Sequence, residues 1–88
     1  MIADTIRQRL EAAFAPTTLE LADESHKHVG HAGNRGGGHY RLLIVSPAFA
    51  GMSRIARQRA VQESLQDLYA QDIHALSIRA QTPEEYRA

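Results

Sequence analysis

Cysteine is missing from this 88-residue chain. That absence removes disulfide staples and any thiolate metal site built by the chain alone. Net charge is missing as well: ten Lys and Arg balance ten Asp and Glu. No bulk field therefore pulls the protein toward nucleic acid or anionic lipid. Aromatics are few, three Tyr and two Phe, which is poor provision for stacking on bases. The longest run of large apolar residues is Leu42-Leu43-Ile44-Val45, far short of the ~20 residues that span a bilayer. Asp4 and Glu11 interrupt the opening residues, so no secretory leader is expected there. These exclusions leave a soluble, cytoplasmic protein with no membrane role as the expectation.

What is present suits one domain over residues 1–88. A hydrophobic fraction of 43% is ordinary for a globular fold, and a chain this short builds one core. Ile2, Ile6, Leu10 and Phe14 recur every four residues, which predicts a first helix closed by Pro16. Thr18 to Glu24 alternates, with Leu19 and Leu21 on one side, as a half-buried strand does. Five of six glycines then fall between Gly30 and Gly38 beside Asn34, so residues 26–38 are expected to be a mobile loop.

His39 to Ser46 follows as a second strand, apolar enough to be central, and Pro47 stops it. Ser53 is placed to cap a helix running to about Ala70, with Ala56, Ala60, Val61, Ser64, Leu65 and Leu68 inward. Ile73 to Ala80 is a third strand, with His74, Leu76, Ile78 and Ala80 on one face. Thr82-Pro83-Glu84-Glu85 has the signature of a last, short helix: a capping threonine, then proline, then glutamate three positions after the cap. The order α-β-β-α-β-α predicts an antiparallel first pair and a parallel crossover pair. The fold class is α+β, a mixed three-stranded sheet with helices packed on it.

Histidine carries the clearest chemical signal. His26, His28, His31 and His39 lie within fourteen residues, and His74 lies in the third strand. Neutral imidazole ligates zinc, copper and iron; the plainer alternative is solvated loop histidines and a half-buried strand histidine. No HExxH or CxxC spacing marks a hydrolase or zinc finger. Arg54, Arg57 and Arg59 crowd the positive end of a helix, a mildly unfavourable place, which suits either an acidic partner or a solvated basic face. Gly30-His31-Ala32-Gly33 matches a GxxG clamp but lies between strands rather than helices. No nucleophile stands beside a base, so the pattern points away from an enzyme.

Several motifs in order resemble the BolA family: Asp23-Glu24-Ser25-His26-Lys27-His28, His39-Tyr40-Arg41-Leu42-Leu43-Ile44-Val45-Ser46, Phe49-Ala50-Gly51-Met52-Ser53, Arg57-Gln58-Arg59-Ala60-Val61, and Ile73-His74-Ala75-Leu76-Ser77-Ile78 followed by Thr82-Pro83-Glu84-Glu85. The resemblance spans nearly the whole chain and implies a class II KH-like sandwich. It also implies a partner of monothiol glutaredoxins that shares a bridging 2Fe-2S cluster in iron–sulfur trafficking or iron regulation. On that reading His74 is one ligand and His28 the second, with His31 as the alternative loop ligand. Glutaredoxin and glutathione would supply thiolates, and the isolated apo chain would hold no cluster.

Imidazole ligation raises a cluster's reduction potential, and only the neutral ring binds. Arg54, Arg57 and Arg59 are the candidate partner-binding residues. Gln58 departs from the family pattern, which has histidine there. The resemblance also implies a second role, a DNA-binding transcriptional regulator of cell shape and stress response. A third is an apo adaptor that binds glutaredoxin without a cluster. The free protein is expected as a monomer or weak homodimer.

Overall fold

A computed structural model describes residues 2–25 and 38–88. Helix α1 spans Ile2–Phe14 and buries Ile6 and Leu10 completely, the centre of the four-residue repeat. It ends at Phe14, two residues before Pro16. Ala15 turns into the left-handed region at φ 45°, its N–H donating to the Glu11 carbonyl at 3.1 Å. Non-glycine residues occupy that region only at a cost.

Strands β1 (Thr18–Asp23), β2 (Gly38–Val45) and β3 (Ile73–Gln81) form one sheet in the order β1-β2-β3. β1 runs antiparallel to β2, with Leu19 opposite Ile44 and Leu21 opposite Leu42. β2 runs parallel to β3, with Leu42 opposite Ile78 and Ile44 opposite Ala80. Both pairings and the mixed α+β sheet agree with the expectation. Tyr40, Leu42 and Ile44 alternate onto the helix-covered face, where they join Ile6, Leu10, Phe49, Val61, Leu65, Leu68 and Ile73 in a single core. Phe14 and Phe49 close one end of it with ring centroids 5.1 Å apart. The opposite face, with Glu20, Arg41, Ser77 and Arg79, is exposed.

A short 3-10 turn at Pro47–Phe49 follows β2. Ser46, fully buried, ties it down. Its hydroxyl donates to the Phe14 carbonyl at 2.6 Å and accepts from the Ala48 N–H at 3.0 Å. Helix α2 spans Arg54–Ser64, and the Ser53 hydroxyl accepts from the Ala56 N–H at 3.1 Å as expected. The single helix predicted to Ala70 is broken at Leu65, which sits at φ −117°, ψ 12°, and resumes as α3, Gln66–Tyr69. Ser64 explains the break in part: its hydroxyl donates to the Val61 carbonyl at 2.7 Å, a local bond that competes with the helical ladder. The break keeps Val61, Leu65 and Leu68 in the core.

Helix α4, Pro83–Arg87, opens with the predicted capping box between Thr82 and Glu85. No helix among the described residues is long and apolar enough to cross a membrane.

Candidate functional site

The site is built where β2 and β3 begin side by side. Gly38 pairs with Ile73, yet His39 pairs with Ala75, so His74 is the extra residue of a β-bulge. A bulge switches the phase of the alternation and re-aims a side chain. That corrects the expectation that His74 shares a face with Leu76, Ile78 and Ala80. Ile73, 3% exposed, takes the core position instead, while His74 is exposed. Its ring packs on that of His39, with centroids 4.9 Å apart and planes inclined at 43°.

His39 is held by the Asp23-Glu24-Ser25 motif. The Glu24 N–H donates to the His39 carbonyl at 2.7 Å. The His39 N–H donates to the Ser25 hydroxyl at 3.0 Å, and the Ser25 N–H donates to the Asp23 carboxylate at 2.9 Å. Motif residues near a loop thus fix the backbone of a strand histidine. Arg41 is paired with Glu24 beside them. Beneath, Gly38 leaves room for the Tyr40 ring, into which a Cβ at position 38 would run. Burial, aided by the charges of Asp23 and Asp72, pushes the Tyr40 phenol above its ordinary range, so the ring stays neutral.

Of the predicted ligands, the structure describes His74 alone; His28 and His31 lie outside the described residues, as does most of the glycine loop. It adds His39, which the sequence reading counted among the loop-side histidines and did not select. The signal was available: parallel pairing of two strands that each open near a histidine brings those openings together. Among the described residues no group of three or more His, Cys, Asp or Glu can hold a metal ion. Each imidazole of the pair carries a ring nitrogen of the type that ligates a metal when neutral.

The three arginines divide. Arg54 and Arg59 are exposed. Arg57 is only 8% exposed and faces inward. Its Nε donates to the Met52 carbonyl at 3.0 Å, one terminal nitrogen to the Ala80 carbonyl at 3.2 Å, and both terminal nitrogens to the Glu85 carboxylate at 2.6 and 3.1 Å. The guanidinium, joined by the Thr82 N–H, holds the Glu85 carboxyl down to about 2. Gln58 is also drawn inward, its side-chain amide donating to the Ile78 carbonyl at 2.8 Å. Arg57 and Gln58 together satisfy carbonyls on the outer edge of β3, the usual point of attack for strand addition.

Comparison with known proteins identifies the fold's relatives. The family model described as BolA-like protein matches residues 10–85. The chain belongs to the BolA family. It is similar to SufE-like protein 1 of Arabidopsis thaliana, 44% identical over 91% of this chain and 23% of that protein. The solved BolA domain of that protein superposes with a TM-score of 0.83, covering 93% of this chain and 92% of the domain. Mouse BolA-like protein 1 is 44% identical over 93% of this chain and 58% of its own length. The DNA-binding transcriptional regulator BolA of Vibrio cholerae is 37% identical over 99% of this chain and 80% of its own. The chain thus spans less than two thirds of two of these three relatives. The SufE-like relative is named as chloroplastic/mitochondrial, so BolA membership does not carry the cytoplasmic expectation with it.

Proposed function

We propose that this BolA chain binds a monothiol glutaredoxin and shares a bridging 2Fe-2S cluster with it, in iron–sulfur trafficking or iron regulation. The observation that carries the reading is the pairing of His74, re-aimed by a bulge, with His39 on an exposed surface. Two imidazoles from a cysteine-free chain suit one iron, leaving thiolates of glutaredoxin and glutathione for the other. When bound, the cluster would supply one-electron chemistry and transferable iron and sulfur; the chain's own residues present and orient the nitrogen donors. His74 is the constant ligand, and His39, His28 and His31 compete for the second position. Backbone bonds from Glu24 and Ser25 restrain His39 in advance, which lowers the ordering cost of using it.

The test is reconstitution with a monothiol glutaredoxin, followed by visible absorption and by spectroscopy sensitive to nitrogen on iron. His74→Ala is expected to abolish the nitrogen signature and destabilise the cluster. His39→Ala, His28→Ala and His31→Ala, compared singly, identify the second ligand. An unchanged spectrum and lifetime in His74→Ala would reject the assignment. If glutaredoxin binds with equal affinity whether or not a cluster is present, the apo-adaptor reading replaces this one.

The second reading, DNA binding, is favoured by the name of the Vibrio cholerae relative. Zero net charge and scarce aromatics oppose tight binding here. A salt titration of DNA affinity decides it, because phosphate contacts produce a steep loss of affinity with added salt.

A further inference from the structure

A second surface lies at the other end of β3. A groove of about 610 Å³ runs between the first turn of α2 and the outer edge of β3, lined by Arg54, Ile55, Gln58, Ile78, Arg79 and Gln81 among others. In a chain of zero net charge its lining holds three arginines (Arg54, Arg57, Arg79) against one carboxylate, Glu85, a local balance of 3 − 1 = +2. That carboxylate is already paired with Arg57. The two cations left over, Arg54 and Arg79, are exposed. Ile55 shares that lining and is 65% exposed, one of only two large exposed apolar side chains among the described residues.

We infer that this groove docks an acidic segment of a protein partner that places an aliphatic side chain on Ile55 and carboxylates on Arg54 and Arg79. The edge chemistry defines the mode. The Ile78 and Ala80 carbonyls already accept from Gln58 and Arg57, so the segment does not add as a fourth strand and is read by its side chains. The positive end of α2 reinforces the preference for carboxylate. Nucleic acid fits less well, because no aromatic ring lines the groove for a base to stack on and an exposed isoleucine is part of its lining. The docking requires no cluster, and it stands or falls separately from the role of His74.

The experiment is a nuclear magnetic resonance titration of the full 15N-labelled chain. The probe is a short peptide of alternating glutamate and leucine with blocked termini; controls are its glutamine counterpart and a single-stranded oligothymidine. The expected result is a saturable set of shifts at Ile55, Gln58 and Ile78 to Gln81. It should be weakened by salt and reduced roughly tenfold in affinity by Arg54→Glu with Arg79→Glu. Ile55→Ser is expected to weaken binding while preserving signal dispersion, and it serves as the check should the double variant fold poorly. Equal binding of the glutamine peptide, shifts that map elsewhere or no saturable shifts would overturn the inference. Tighter binding of oligothymidine to the same residues would reassign the groove to nucleic acid.

Discussion

The two ends of β3 differ in how their polar side chains are used. At the end near Gln81, Arg57 is buried against two carbonyls and a carboxylate, and Thr82 and Glu85 cap one another. At the beginning, His74 stands exposed, its ring tilted against that of His39, because a bulge has removed it from the core-facing register. One end encloses its charged side chain in hydrogen bonds, whereas the other leaves an imidazole at the surface. Clustered cations and clustered imidazoles were both conspicuous in the sequence, and only their surroundings separate the enclosed side chain from the exposed one.

Substitutions at each end can break that contrast. Arg57→Ala is expected to be the most damaging, at about 2–4 kcal/mol in urea unfolding, since it strands the Met52 and Ala80 carbonyls without donors. Gly38→Ala comes next, at about 1–3 kcal/mol, because the new methyl meets a Tyr40 ring that the core holds in place. It would show that the start of β2 is tightly packed even though the neighbouring His74 is exposed.

The Glu85 contribution is expected to depend on pH in one direction. Its carboxyl ionises near 2 in the folded chain against an ordinary 4.5. The stabilisation is therefore fully present above the ordinary value and disappears as pH falls toward 2. The stability gap between wild type and Glu85→Gln should narrow over that window, and a gap that stays constant would show that Glu85 acts through its capping bonds alone. His74→Ala is expected to have the smallest effect, within about 0.5 kcal/mol, while eliminating cluster ligation. A stability loss comparable to that of Arg57→Ala would erase the distinction between the two ends.

Periodicity and capping chemistry made most of the fold legible. The spacing of Ile6 and Leu10, the Ser53 cap, the Thr82 box and the order of strands all read directly from residue patterns. The helix break at Leu65 did not, because the Ser64 hydroxyl's local bond to Val61 leaves the apolar stripe unchanged. Nor did the bulge: strict alternation through His74, Leu76, Ile78 and Ala80 reads as an unbroken strand, and only the register against β2 exposes the extra residue. For the same reason the alternation placed His74 on the wrong face. The arginines divided for a different reason. Arg54, Arg57 and Arg59 look equivalent as charges, and only the packing of α2 against β3 and α4 decides which one is enclosed.

The side-chain bonds from Gln58 and Arg57 to β3 also bear on how this protein behaves when crowded. A three-stranded sheet has two borders from which copies could zip into fibrils. Along β3, such growth would first have to tear away an amide and a guanidinium already seated there. Those two seated side chains blunt this part of the margin as a template for polymerisation.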